Sequence, residues 1–371
     1  MITDHTWIIS DSPYPSPFLT ESKRFGDAST CYLIDQYSGK RPYLVNAEIF
    51  NKQKIDLKFF PNVLFDTNLA GPLYNLANGG KVTDGFMALI RFLTKSNWSY
   101  SLYFYYLEHF CKTSYEDFTK NAVARTHALL TLHSMDDHTF LSTGAIIPNK
   151  EAVSYYLDSS GTTTLKDAAR QRVESFCSLH ERSRHAYMIE AIEICLIKMF
   201  FIRRFELAKK TPAEQFYAFQ KFMRNDLGIV MARESHLAIH YFYDKAGRLL
   251  GIQPNTSYER ALSIIKSTSW DMLLLRFPEL FISHDPEEVE ITYLATQERE
   301  LAYLAELFSV DAIIRTPDKR ILPLIGYSLK NLPPEAIELS ASSDRTSSNR
   351  VAIPAGLKSA LVQELRRRLA D

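Results

Sequence analysis

Pro61-Asn62-Val63-Leu64-Phe65-Asp66-Thr67-Asn68 is a short apolar run that stops abruptly at an acid, a hydroxyl and an amide. Val63 and Phe65 favour extended backbone, and Pro and polar residues bound the segment. It therefore reads as a buried strand of a parallel sheet. In open α/β sheets, ligands and reactive groups gather just beyond the carboxyl ends of the strands, and Asp66 falls there. The competing reading makes Asp66 an N-cap for the helix predicted over 69–78, which Gly79-Gly80 closes.

The rest of the chain must build a core around that strand. Its 371 residues, 46% hydrophobic, suffice for two domains or for one core with a large insertion. The 43 basic and 43 acidic residues cancel, so charge alone does not predict tight non-specific nucleic-acid binding. Cys31, Cys111, Cys177 and Cys195 are scattered without a CxxC pair, which suits packed thiols better than a zinc site or a disulfide framework. No signal-peptide pattern is visible at the start. The most apolar helix, around 187–205, is interrupted by Glu190, Glu193 and Lys198, so no membrane span is expected. The expected setting is the cytoplasm.

Residues 1–60 read as a partly stranded N-terminal extension, with β-like runs at 31–35 and 42–45. Over 81–225 the periodicity predicts long helices at 85–94, 98–112, 116–135, 164–180, 184–209 and 212–225, an all-helical insertion. The aromatic stripe Trp98, Tyr100, Tyr103, Phe104, Tyr105 and Tyr106 invites a nucleobase-stacking reading, but helical spacing favours core packing. Arg203-Arg204 and Lys209-Lys210 fit a solvated helix end better than a phosphate site. Helices follow at 227–243 and 257–277, strands at 281–283, 291–296 and 311–315, and a helix at 297–308. This alternation predicts an α/β sheet. The tail, 316–371, is irregular with a Ser-rich segment and closes on an amphipathic helix at 355–370.

Several acids stand on apolar faces. On helix 227–243, Glu234 lies within the arc of Leu227, Val230, Met231, Leu237, Ala238, Tyr241 and Phe242, with Arg233, His236 and His240 outside it. A carboxylate aimed at a core is costly unless it is paired or bound to a metal. A Tyr or Arg partner is the plain alternative. Asp271 shares a face with Ile264, Leu274 and Leu275; there a backbone amide or the Trp270 indole would serve. Glu298 opens a helix after the strand 291–296, where the helix dipole welcomes an acid regardless. Glu190 and Glu193 could replace Glu234. His236 and His240 at i, i+4 lack the flanking Glu of a zinc-protease motif and read as a solvated face. His127, His133, Asp136, Asp137 and His138 read as a polar helix-terminal loop rather than a metal cluster.

The order of these motifs resembles the PIN-domain family of nucleases. The resemblance rests on the strand ending Phe65-Asp66-Thr67-Asn68, on Arg233-Glu234, on Trp270-Asp271 through Arg276, and on Thr296-Gln297-Glu298-Arg299-Glu300-Leu301. It covers 61–80 and 226–315; 81–225 and the two ends lie outside it. The last motif carries Glu where the family usually has Asp. The resemblance implies a PIN-like parallel sheet flanked by helices, with Asp66, Glu234, Asp271 and Glu298 as catalytic metal ligands for Mg²⁺ or Mn²⁺. Thr67 and Asn68 would orient them. Such a site hydrolyses phosphodiesters, RNA before DNA, in a toxin or antiviral-defence effector. The alternative is a non-catalytic interaction protein, whose helical insertion binds a protein partner or a second copy on a degenerate nuclease core.

Overall fold

The computed structural model describes residues 6–9, 14, 16–27, 30–40, 43–46, 54–180, 183, 185–246, 250–253, 255–281, 288–316, 321–342 and 353–369. Its strands are β1 (Thr6–Ile9), β2 (Lys23–Phe25), β3 (Cys31–Ile34), β4 (Tyr43–Asn46), β5 (Lys54–Phe65), β6 (Ser99–Ser101), β7 (Glu288–Thr296), β8 (Phe308–Arg315) and β9 (Ile321–Tyr327). The helices preceding residue 183 are α1 (Ala70–Ala77), α2 (Asp84–Ser96), α3 (Tyr103–Lys112), α4 (Tyr115–His133), α5 (Asp137–Thr143), α6 (Lys150–Ser160) and α7 (Leu165–Leu179). Later come α8 (Ala186–Phe201), α9 (Pro212–Phe222), α10 (Ala232–Phe242), α11 (Tyr258–Leu274), α12 (Phe277–Leu280), α13 (Arg299–Ala305), α14 (Pro334–Ser342) and α15 (Leu357–Leu369). The expected strand at 281–283 extends outside the described residues.

The chain forms two compact units. One comprises Met1–Arg182, Arg276–Ala302 and Ser309–Ile325, and the other Ser183–Leu275, Tyr303–Phe308 and Gly326–Asp371. The first is built on a mixed sheet in the order β1-β5-β7-β3-β2, with β6 also on β5. β1, β6 and β7 all run parallel to β5. A purely parallel sheet was expected; instead β3 lies antiparallel on β7, and β2 antiparallel on β3. The N-terminal segment thus completes the sheet, covering the open side of β7 with an antiparallel edge of a kind common in otherwise parallel sheets. A second sheet follows the order β4-β8-β9, with β4 and β8 parallel.

β5 begins seven residues before Pro61, where the sequence had suggested a start. Lys54–Leu57 pair with β1 and Asn62–Leu64 with β6, while among the described residues Lys58–Pro61 have ladder partners on β7 alone. Proline lacks an N–H, so it is tolerated where one side of the strand is unpaired. Beyond it Val63, Leu64 and Phe65 are all buried. Consecutive buried residues mark a strand covered on both faces, as the continuous apolar run implied.

The core of this unit gathers Val63, Phe65, Leu73, Phe86, Leu89, Trp98, Tyr100, Ile291 and Tyr293. The aromatic stripe is largely packing: Trp98 stacks on Tyr293 with centroids 5.1 Å apart, and Tyr100 on Phe65 at the same distance. The single helix expected over 98–112 is broken, because Ser99–Ser101 join the sheet before α3 begins. The helices expected over 81–225 are therefore divided between the units, and those of 84–179 pack in the sheet-bearing one.

In the other unit, α8 is buried from Ala191 to Leu196 and packs against α11 and α15. Glu193, reserved above as a site acid, is buried and forms an ion pair with the partly exposed Lys358 of α15. A capping box between Thr211 and Glu214 starts α9. None of the four cysteines forms a disulfide. Among the described residues, no helix is long and apolar enough to cross a membrane.

Tyr293 offers a direct test of the sheet core. Its ring is buried against Trp98 and Tyr37, and its hydroxyl accepts the Leu19 backbone N–H at 2.9 Å. Tyr293→Phe leaves that N–H without its acceptor and should cost about 1–3 kcal/mol. Tyr293→Ala adds a cavity and should cost about 3–5 kcal/mol. Urea denaturation of both variants would measure the two losses, and a neutral Tyr293→Phe would contradict the assigned bond.

Candidate active site at the carboxyl edge of β5 and β7

Parallel pairing ends with Phe65 opposite Ala295, and the Asp66 N–H adds one more bond to the Ala295 carbonyl at 2.9 Å. Asp66 and Thr296 therefore emerge side by side. Asp66 is 5% exposed and caps a short 3-10 turn, Thr67–Leu69, that leads into α1. Its cap role and its site role are compatible, because they use different oxygens. Oδ1 accepts the Thr67 N–H at 2.6 Å. Oδ2 accepts from Asn68 Nδ2 at 2.6 Å and from the Thr296 hydroxyl at 2.7 Å.

Asn68 ties the two strand ends together. Its Nδ2 also lies 3.4 Å from Glu298 Oε1, and its Oδ1 accepts the Gln297 N–H at 3.3 Å. The Thr296 hydroxyl accepts the Glu298 N–H at 3.0 Å, fixing the first turn beyond β7. On the other side the Thr67 hydroxyl donates to Glu108 on α3, whose second oxygen accepts from Lys112 one turn on. Three carboxylates, Asp66, Glu108 and Glu298, thus surround Thr67 and Asn68.

This crowding has an electrostatic consequence. Burial pushes the Asp66 carboxyl up, and the charges of Glu298 and Glu108 push it further, against the hydrogen bonds from Thr296 and Thr67; it reaches about 7. A cation beside Asp66 would relieve both the repulsion and the cost of ionising in a buried position.

Of the residues singled out in the sequence, the structure brings together Asp66, Thr67, Asn68 and Glu298. Glu234, fully buried on α10, and Asp271, half-buried on α11, belong to the other unit. Glu108 was missed, because a single helix over 98–112 hid the strand-to-helix break that positions it. Its signal is a lone acid within Tyr103–Phe110, with Lys112 at i+4.

His236 and His240 correct the expectation of a solvated face. They are 2% and 1% exposed, and both Nε2 atoms approach the Ser328 carbonyl oxygen, at 3.0 and 3.1 Å. The segment around Tyr327 and Ser328 covers the side of α10 that periodicity had left to solvent. At the end of α4, Asp136 caps α5 by accepting the Thr139 N–H at 2.8 Å.

The donor set suits a hard divalent cation, since it offers carboxylate oxygens without thiolate or imidazole. Among the described residues, no group of three or more His, Cys, Asp or Glu side chains converges as a complete metal cage. Magnesium asks for less: it keeps several waters and is held through one or two carboxylates together with substrate phosphates. Asp66 and Glu298, whose oxygens share the Asn68 amide nitrogen, are the two carboxylates that would serve such an ion.

The acidity of Asp66 gives a stability test. The folded chain holds this proton up to about pH 7, whereas an unfolded Asp releases it near ~3.9. The stabilising contribution is thus fully present below the unfolded value and is lost as pH rises through about 7. Asp66→Asn, which cannot ionise, should gain on wild type by up to about 4 kcal/mol between pH 4 and pH 8. Urea denaturation at the two pH values, with chelator present, would read this. A variant-to-wild-type difference that does not change with pH would refute it.

Comparison with protein-family models, with curated proteins and with solved structures found no match for this chain, so the site is read from its own geometry.

Proposed function

We propose that the protein is a Mg²⁺- or Mn²⁺-dependent nuclease of PIN-like type, acting on RNA in preference to DNA. The observation that carries this reading is the meeting of Asp66 and Glu298 at one amide nitrogen, beyond the carboxyl ends of two paired parallel strands. Glu108 takes the part of the helical acid that the resemblance assigns to Glu234, being linked to Asp66 through Thr67. The PIN-like core then comprises β5, β6 and β7 with α1 to α3, and the later helices form the addition. A cytoplasmic setting and a toxin or antiviral role belong to the same proposal, by analogy alone.

When bound, the cation supplies Lewis acidity to a phosphodiester and makes water more acidic. The chain's own residues do the rest. The Thr67 N–H, the Thr296 hydroxyl and the Asn68 amide hold the Asp66 carboxylate in one orientation. Asn68 spaces Glu298 from Asp66.

A second reading has its own observation. Thr67, Asn68 and Thr296 already satisfy Asp66, so a non-catalytic module could keep the same arrangement as structure. Cleavage of labelled single-stranded RNA and DNA of mixed sequence with Mn²⁺, by wild type and by Asp66→Asn, Glu108→Gln and Glu298→Gln, separates the two. The enzyme reading expects RNA cleavage that chelator abolishes and each substitution lowers by about 100-fold or more. Equal activity in all four proteins, or none in any, sinks it.

A further inference from the structure

Arg125 of α4 is a guanidinium that the acid site does not use. It lies over the Tyr74 ring of α1, 4.5 Å from the centroid. The residue is half-buried, and its Nε is enclosed without an acceptor. The two terminal nitrogens have no partner among the described residues either; unlike Nε they are not enclosed, so an outside group can reach them. Arginine stays charged at any ordinary pH, and a partly buried charge is costly unless it is paired. The ring contact returns only about 0.5–2 kcal/mol.

The neighbouring helices offer no spare counter-charge. α1 contains no charged residue. One turn to either side of Arg125 on α4 stand Asn121, Ala122, Ala128 and Leu129. The one acid of α3, Glu108, is already engaged by the Thr67 hydroxyl and by Lys112. The Arg125 charge acts on both Tyr105 and His109 of that helix, whose rings lie 4.4 Å apart. Burial holds the His109 imidazole below its ordinary value; Glu108 opposes this, and the Lys112 and Arg125 charges add to it. Two permanent cations thus stand against one carboxylate. Their place relative to the acid site is fixed by packing. A hydrogen bond of 2.7 Å between Tyr106 and Thr126 ties α3 to α4 beside Arg125. Tyr74 stands two turns beyond Thr67, about 10 Å along the segment at ~1.5 Å per residue.

We propose that Arg125 holds a backbone phosphate of the single nucleic-acid strand whose scissile bond lies at Asp66. Chemistry is the first argument. The terminal nitrogens of a guanidinium form a flat fork that donates two parallel N–H bonds to phosphate oxygens, and here that fork is the part left open. Preorganisation is the second: the Tyr74 ring holds the guanidinium in place, so little ordering remains to be done on binding. Position is the third. Two helical turns separate Tyr74 from Thr67, so the phosphate at Arg125 is a neighbour of the one at Asp66 along the same strand. Proteins that bind single strands follow the backbone with such cationic positions. An acidic peptide could meet the fork, but it brings no phosphodiester to the acid site. The identity of the strand rests on the nuclease reading; the contact itself is read from binding alone.

Fluorescence anisotropy of a labelled single-stranded RNA of about 12 nucleotides tests it, with the full chain and with chelator present so that nothing is cleaved. Binding is measured between about 50 and 200 mM KCl. Arg125→Gln should weaken binding about tenfold. It should also flatten the dependence of log affinity on log salt by about 0.7, the share of one phosphate on a single strand. Arg125→Lys keeps the charge and loses the fork, so it should keep the slope while losing part of the affinity. Matching urea midpoints would show that the variants fold, and Arg125→Lys decides the matter if Arg125→Gln does not. Equal affinity and slope in wild type and Arg125→Gln would overturn the proposal. So would a polyglutamate peptide that binds as tightly as the RNA, or a wild type that binds no RNA at the lower salt. RNA binding that depends on Arg125 in a protein without Mn²⁺-dependent cleavage would uphold the phosphate contact and sink the nuclease reading alone. Cleavage by a protein whose RNA binding ignores Arg125 would do the reverse.

Discussion

The parallel pairing of β5 with β7 is the constraint on which the sheet-bearing unit depends. It joins Lys58–Phe65 to Glu288–Ala295, segments separated by most of the chain. Register is what matters. Because side chains alternate along a strand, a slip of one residue would turn every buried group of Val289–Ala295 to the wrong face. The aligned register delivers Asp66 and Thr296 to the same edge, where both strands leave the sheet. Everything placed between the two strands, from α1 to α12, must be accommodated without disturbing that one alignment.

Bringing acids to such an edge costs stability. Asp66 is buried beside two other carboxylates, and its raised pKa records the penalty for ionising there. Three neutral donors offset part of it without adding charge: the Thr67 amide, the Asn68 side chain and the Thr296 hydroxyl. A Lys or Arg in their place would neutralise Asp66 more completely, but it would also fill the space beside the carboxylate. Lys112 is instead directed to Glu108, the outer member of the group. Neutral donors inside and one ammonium outside hold the acids together while leaving the inner pair short of positive charge. A fold optimised for stability alone would have little reason to keep that imbalance.

What the sequence disclosed follows from how local each signal was. The strand ending at Asp66, the 3-10 cap after it and the Thr296–Glu298 turn depend on neighbours within a few residues, and all were legible in outline. Asn68 was grouped with Asp66, though its reach to Glu298 requires the strand pairing. Glu108 was hidden by a short break: three residues of β6 interrupt a run whose composition is helical throughout. Glu234 and the His236–His240 pair show the opposite failure. The periodicity of α10 divides it into an apolar and a polar face, but residues from Arg233 to Phe242 are buried on all sides. A two-face pattern reports one packing partner, and it says nothing of a helix that has several. The antiparallel β3 escaped for a related reason, because strand direction is decided by the edge left open and not by the four residues that fill it.

Phe65 shows how the aromatic stripe closes the core behind the acid site. Its backbone leads directly into Asp66, while its ring lies 5.1 Å from that of Tyr100 and nearly parallel to it, with Phe86 packed edge-on. Tyr100 is in this sense a core residue, as helical spacing had suggested, although it stands on a strand. The His133 ring meets Tyr100 edge-on at 4.4 Å, so the ring is packed by two partners. The contact that closes the core behind Asp66 therefore also fixes β6 against β5, since Phe65 and Tyr100 belong to those two paired strands.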